Sequence, residues 1–220
     1  MLLAIDTATQ LLSLALYDGL MVLAEKSWWA GRHHTVELMP NLVQLLDQAG
    51  AGHTDIQALA VARGPGSFTG LRIGISTAKG LAAALGIPVV AIPTLSILAY
   101  PHFDQPLPIC PVIQAGRGRL CFATFHQVIG QWRQTSDFQL AVPAHLAQQV
   151  RERTLFCGEL DQPTIEALQK EGRGRAVIVR PAASLRRAGY LAELAWDRWK
   201  KGDTDKLATL SPIYVQLRRK

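Results

Sequence analysis

The sequence predicts an α/β protein with a duplicated βββαβαβ fold whose second copy is reduced, and three observations carry that prediction. Residues 1–29 contain three apolar runs, MLLAIDTATQ, LLSLALYDG and LMVLAEKSW, the last two divided by the turn signal Asp18-Gly19, which reads as an antiparallel meander. From residue 35 onward helical and strand patterns alternate, as expected of a mixed sheet covered by helices. Near Pro108 a weaker copy begins. Setting Ile5-Asp6 against Ile113-Gln114 aligns LLAIDTATQLLSLALY with CPVIQAGRGRLCFATF at an offset of 108 residues, with Ser13 opposite Cys121 and Tyr17 opposite Phe125.

After the meander a helix is expected from Thr35 to Ala49. Leu38, Leu42, Leu45 and Ala49 mark one apolar face, and Val36, Met39, Val43 and Leu46 mark another. Thr35 is placed to cap it, Pro40 near its first turn and Gly50 at its end. IQALAVAR follows as a strand, then a glycine-rich turn, a second helix over Gly70–Leu85 and the strand IPVVAI. Later elements are thinner: LFCGE and AVIVR read as strands, and Leu185–Lys201 as an amphipathic helix with Ala188, Leu191, Ala195 and Trp199 inward. The pattern divides into a domain over 1–104 and a smaller one over 105–220, joined in the proline-rich stretch Pro101–Pro108, with the last helix packing back on the first domain.

The chain has 220 residues, 49 % hydrophobic and 18 % charged, long enough for a sizeable core. Gly80–Phe103 carries no Asp, Glu, Lys or Arg, but Gly86, Pro88 and Pro93 interrupt it, which favours a helix end and a buried strand over a membrane span. With no charged n-region and cleavage site ahead of the first strand, a cytoplasmic protein is expected. Its three cysteines, Cys110, Cys121 and Cys157, lack paired metal spacing and read as reduced, buried small hydrophobes. The net charge of +6 is uneven: residues 173–220 hold twelve Lys and Arg against four Asp and Glu, +8, leaving −2 for the rest. Leu217-Arg218-Arg219-Lys220 is therefore either a solvated tail or a weak, salt-sensitive contact for RNA.

The stretch RGPGSFTGLRIGISTAKGLAAALG over Arg63–Gly86 is the most informative. A glycine turn at a helix start can offer bare N–H groups to phosphate, which makes Gly64 and Gly66, with Asp6 at the end of the first strand, candidates for a phosphate or magnesium contact. No Walker loop is present, because the sixth position from Gly64 is Thr69; the Rossmann fingerprint fails at the same residue. Alternatively the glycines serve packing. Gly70, Gly74, Thr77, Ala78 and Leu81 form a nearly flat face, and Leu71, Ile75, Ala78, Ala82 and Leu85 an adjoining apolar one, so this helix too should be buried on two sides. His33 and His34 diverge by about 100° on a helix and cannot chelate one ion as an i, i+4 pair does; capping or surface placement is expected of them. Ser67 lies outside a GxSxG elbow and has no partner placed by sequence to activate it.

Two βββαβαβ halves, an Asp ending the first strand and the glycine turn together resemble the actin, sugar kinase and Hsp70 ATPase superfamily. AIDTAT, HTVELMP, VARGPGSFTGLRIGISTAKGLAAALGIPVV and SPIYVQLR narrow the resemblance to the TsaB (YeaZ) family, strongly over residues 1–100 and thinly beyond. The resemblance implies a non-catalytic relative of TsaD that forms a heterodimer with TsaD and, with the ATPase TsaE, supports transfer of threonylcarbamoyl to adenosine at position 37 of tRNA. It implies no cofactor of its own, with ATP, magnesium and metal held by the partner subunits, a tRNA contact through the complex, no membrane, and a homodimer when TsaD is absent. The expected interface is Val36, Met39 and Val43 on the first helix with Gly70, Leu71, Arg72, Gly74, Ile75 and Ala78 on the second, Lys79 joining Arg72 at the rim.

The residues bear on this implication. TsaD is expected to bind its metal through a His-x3-His arrangement soon after the strand that follows the glycine turn; here Pro93–Ala99 reads PTLSILA. ATP-hydrolysing members carry Asp-x-Gly-Thr/Ser after the first strand, whereas this chain has Asp6-Thr7-Ala8-Thr9, and Gln114 stands where an acidic magnesium partner is usual. The alternative reading is an independent ATPase or small-molecule kinase of the same fold. A third is an RNA-binding module using the basic C-terminus.

Overall fold

A computed structural model describes residues 1–215. The chain divides into two compact units, Met1–Ile97 with Arg186–Tyr214, and Leu98–Leu185 with Val215. The division expected at 104/105 thus lies at 97/98, and the segment 186–214 belongs to the first unit. The basic tail Leu217–Lys220 lies outside the described residues.

In the first unit the expected order is present. β1 (Leu2–Asp6), β2 (Leu11–Tyr17) and β3 (Val22–Trp29) form the antiparallel meander, followed by α1 (His34–Gln48), β4 (Ala58–Gly64), α2 (Phe68–Leu85), β5 (Val89–Pro93) and α3 (Thr94–Ala99). The sheet order is β3-β2-β1-β4-β5, with β4 parallel to both β1 and β5. Strand alternation gives the sheet two chemically different faces. Leu3, Ile5, Leu12, Leu14, Leu16, Leu59 and Val61 pack under α1 and α2. The other face is lined by Ala4, Ala15, Ala58, Ala60 and Ala62 with Leu2 and Val90.

Two local expectations need correction. Thr35 does not cap α1: the helix starts one residue earlier, His33 holds the cap position without a side-chain bond, and Pro40 sits inside the helix. The first turn is instead anchored by His34, which is buried with Nε2 2.7 Å from the carbonyl oxygen of Thr9. His34 is therefore neither a side-chain cap nor a surface residue. α2 likewise begins before Gly70, because Ser67 Oγ accepts the Gly70 N–H at 3.2 Å and sets the helix start at Phe68.

The second unit repeats the topology, with shorter strands everywhere but at its first. β6 (Ile109–Gln114), β7 (Leu120–Phe122), β8 (Phe125–Val128), β9 (Gln131–Gln134), β10 (Gln139–Ala141), α4 (Pro143–Gln148), β11 (Thr154–Gly158), α5 (Gln162–Glu171) and β12 (Ala176–Ile178) give the sheet order β10-β7-β6-β11-β12. The β8–β9 hairpin is an insertion between the second and third strands of the repeat. The offset of 108 holds only for the first strand: Asp6 pairs with Ser13 in β1–β2, whereas Gln114 pairs with Leu120 and Ile113 with Cys121. The second turn is one residue shorter, so Leu120, not Cys121, is the counterpart of Ser13.

α6 (Ala188–Lys200) returns to the first unit and covers the alanine face of its sheet with Ala188, Leu191, Ala192 and Ala195. Alanines on both surfaces bring helix and sheet close. The helix start is fixed from the sheet, since Ser13 Oγ accepts the Ala188 N–H at 2.8 Å and Glu25 Oε1 accepts that of Gly189 at 2.8 Å.

All three cysteines are free and buried. Burial disfavours the thiolate and pushes each thiol up, that of Cys121 to about 12. Iodoacetamide at pH 8 is therefore expected to leave the folded protein unmodified and to label all three cysteines in denaturant, read by intact mass. Labelling of the folded chain at the rate of a free cysteine would overturn this.

Candidate functional site

The loop after β1 is the most densely tied part of the first unit. Asp6, Thr7 and Ala8 are fully buried and Thr9 nearly so. Asp6 Oδ1 accepts the Ala8 N–H at 2.9 Å, closing an Asx turn. Its other oxygen accepts Arg186 Nε at 2.6 Å, and the same guanidinium donates through Nη2 to Thr9 Oγ1 at 3.0 Å and to the Leu11 carbonyl at 3.2 Å. The carboxylate that sequence offered to magnesium is thus neutralised by a buried cation of the chain itself.

The glycine turn packs on this loop. Ser67 N–H donates to the Ala8 carbonyl at 2.7 Å, and a Cβ on Gly66 would lie 2.2 Å from that oxygen. Gly64, at φ +106°, would bring a Cβ within 2.7 Å of the Ile213 carbonyl oxygen, while Ile213 N–H donates to Arg63 O at 2.8 Å. Only glycine fits at either place. Gly64 and Gly66 are therefore held against backbone of the same unit, which gives both glycines a packing role.

The next two glycines continue the contact. Thr7 Oγ1 donates to the Gly70 carbonyl at 2.7 Å; a Cβ on Gly70 would meet Thr7 O at 2.2 Å and one on Gly74 would meet Thr7 Oγ1 at 2.2 Å. Leu71, Ile75 and Ala78 are buried in the cores on either side. Hence Gly70, Leu71, Gly74, Ile75 and Ala78, expected at a partner interface, face the inside of their own unit. The flat helix face was read correctly as a close-approach surface, but its neighbour is Thr7.

On the outer side, Val36, Met39 and Val43 are 68 %, 42 % and 52 % exposed. They form an apolar stripe along α1 that nothing in the unit covers. The exposed residues of α2 are Phe68, Thr69, Arg72, Ser76, Gly80, Ala83 and Ala84, and a Cβ on Gly80 would have no atom of the described residues within 4 Å. At the start of α2, Arg72 lies 3.7 Å over the Phe68 ring and donates from Nε to Tyr214 Oη at 3.1 Å, and Phe68 stacks on Tyr214. Arg72 is thus exposed but engaged, and Lys79 Nζ reaches the Leu210 carbonyl at 3.4 Å. Sequence reasoning missed both Arg186 and this ring stack. A buried Asp after a first strand lacking the phosphate-loop glycine is itself a signal that a cation must be found, but nothing in the spacing points to residue 186.

Among the described residues no group of three or more His, Cys, Asp and Glu side chains is placed to hold a metal ion, and no helix is long and apolar enough to cross a membrane.

Comparison with known proteins now bears on this geometry. Residues 28–187 match the family model of TsaD, tRNA N6-adenosine threonylcarbamoyltransferase. The tRNA threonylcarbamoyladenosine biosynthesis protein TsaB of Haemophilus influenzae is 30 % identical over 232 aligned residues, covering 98 % of this chain and 93 % of that protein. TsaB of Bacillus subtilis is 35 % identical over 162, covering 71 % and 70 %. The solved structure of YeaZ from Pseudomonas aeruginosa superposes with a TM-score of 0.81 at 28 % identity, covering 97 % of this chain and 99 % of that one. A ROK hexokinase from Thermus thermophilus, at 12 % identity and a TM-score of 0.56 over 90 % of this chain and 99 % of that one, shares the fold alone.

Proposed function

The chain belongs to the TsaB family, the tRNA threonylcarbamoyladenosine biosynthesis proteins, and on that footing we propose that it serves threonylcarbamoyladenosine synthesis as a non-catalytic subunit docked on TsaD. The observation that carries the docking reading is the outer surface of α1 and α2. Val36, Met39 and Val43 stand exposed on α1, and beyond Phe68 and Arg72 the free side of α2 is built from small residues. A mid-helix glycine costs about 0.5–1 kcal/mol relative to alanine, and Gly80 incurs that cost with no atom of the described residues within 4 Å of where its Cβ would lie. Close approach of a helix from outside would use the space. Two helices from each partner would form a small bundle, and in the absence of TsaD the same surface would pair two copies of this chain.

The non-catalytic reading is supported by the loop after β1. The Asp6 carboxylate is engaged by Arg186, and the Ser67 N–H of the glycine turn is given to the Ala8 carbonyl. ATP, magnesium and metal are accordingly assigned to the partner subunits, TsaE joins the TsaD-bound form, and tRNA is met through the complex.

The deciding experiment is tRNA threonylcarbamoylation by purified TsaD and TsaE with threonylcarbamoyl-adenylate and ATP, with and without this chain. Activity is expected only with it, and no ATP turnover by the chain alone; the converse result would overturn the proposal. Val43→Glu and Gly80→Arg are expected to weaken the TsaD complex about 100-fold or more on gel filtration, because each buries an unpaired charge in a helix contact. Both positions are open in the isolated unit, so neither variant should lower the melting temperature. Full assembly of both variants would exclude this surface.

A further inference from the structure

A cavity of about 250 Å³ opens into the second unit. Its floor is Cys110, Phe122, Leu146, Val150 and Phe156, all buried and all part of that unit's hydrophobic core. Its mouth is polar. Arg151 and Glu152, consecutive and of opposite charge, both line it and are both exposed. Among the described residues the Arg151 guanidinium makes no ion pair or hydrogen bond. Glu152 is held on one side only: its Oε1 lies 3.2 Å from His126 Nε2, His126 Nδ1 lies 2.6 Å from Thr135 Oγ1, and that hydroxyl donates to the Thr124 carbonyl at 3.2 Å. This relay positions the carboxylate at the rim and leaves Oε2 unengaged.

His126 also lines the cavity, with both ring nitrogens engaged by Glu152 and Thr135, so the groups left open above the apolar floor are the Arg151 guanidinium and the second Glu152 oxygen, a pattern with a narrow set of matching ligands. A fatty acid would meet Glu152 as a like charge, and an alkylamine would meet Arg151 as one. A peptide end carries only one of the two complementary charges. The geometry points to a site for a free α-amino acid with an apolar side chain, its carboxylate on Arg151, its ammonium on Glu152 and its side chain on the Phe122–Phe156 floor. The site lies wholly within the second unit, and its assignment does not rest on the TsaD-docking reading.

Calorimetric titration of the 220-residue chain with L-leucine, L-methionine and L-phenylalanine tests it. At least one is expected to saturate a single site with Kd below about 1 mM, with 4-methylpentanoate and isoamylamine, each missing one charge, about 10-fold weaker or worse. Arg151→Gln and Glu152→Gln should each weaken the amino acid by about the same factor without altering the melting temperature, because both side chains are exposed. No saturation by any of the three up to about 10 mM, unchanged binding by both variants, or single-charge analogues as tight as the amino acid would each overturn the assignment.

Discussion

Replacing Arg186 with methionine is expected to destabilise the protein by about 3–5 kcal/mol, the cost of leaving one member of a buried ion pair without its partner. Both side chains are almost fully enclosed, and the guanidinium makes three of the contacts that hold the loop after β1 together. The pair need not stabilise the fold relative to apolar residues, because two desolvated charges gain little net energy from each other. Hence the double variant Asp6→Asn, Arg186→Met should recover a large part of the loss: the Asn oxygen can still accept the Ala8 N–H, and no charge remains buried. Urea unfolding of the wild type, both single variants and the double gives the coupling directly. A loss under about 1 kcal/mol in Arg186→Met, well short of the buried-pair cost, would show that water reaches Asp6 and that the site is open.

The second expected result is a reversal of sign within one helix. Gly70→Ala places a Cβ where the Thr7 backbone oxygen stands 2.2 Å away, so loop or helix must move, at a cost of about 1–3 kcal/mol or more. Gly80→Ala, ten residues on, meets nothing and should stabilise the isolated protein by about 0.5–1 kcal/mol through helix propensity alone. Thermal melts of the two variants side by side distinguish glycine kept for the chain's own packing from glycine kept for something beyond it. Equal destabilisation by both would contradict the contacts described around α2. Gly74, whose Cβ would strike Thr7 Oγ1, belongs with Gly70, and a bulky residue there would damage the fold before it could report on assembly.

The element order of the first unit was legible in the sequence because its strands carry apolar runs and its turns their own signals, as at Asp18-Gly19; in the second unit β6, β7, β11 and β12 were legible, but α4, α5, β10 and the β8–β9 hairpin, whose strands FHQV and QWRQ carry no apolar run, were not. Which side of α2 faces inward was not. A helix apolar or small over most of its circumference has no periodicity to orient it, so Gly70, Gly74 and Ala78 were equally consistent with a sheet, a loop or a partner, and Thr7 decided the matter from 63 residues away. α1 was easier, since Leu38, Leu42 and Leu45 outweigh Val36, Met39 and Val43 in bulk and took the buried side. The one-residue slip between Ser13 and Cys121 escaped because a shortened turn leaves the hydrophobic alternation of the following strand intact. Arg186 and the cavity beneath Arg151 and Glu152 depend on tertiary proximity that local spacing cannot encode.

The alanine face of the first sheet has a consequence for how the protein is made. Its strands are complete once residue 93 has been synthesised, but the helix that covers Ala4, Ala15, Ala58, Ala60 and Ala62 spans residues 188–200. At ribosomal elongation rates the gap between them amounts to roughly 5–20 s, during which the whole second unit emerges while the nascent sheet keeps one hydrophobic side bare. The N-terminal half is therefore translated first yet finished only after the second unit has followed it, because the helix that covers its sheet lies on the far side of that unit in the chain.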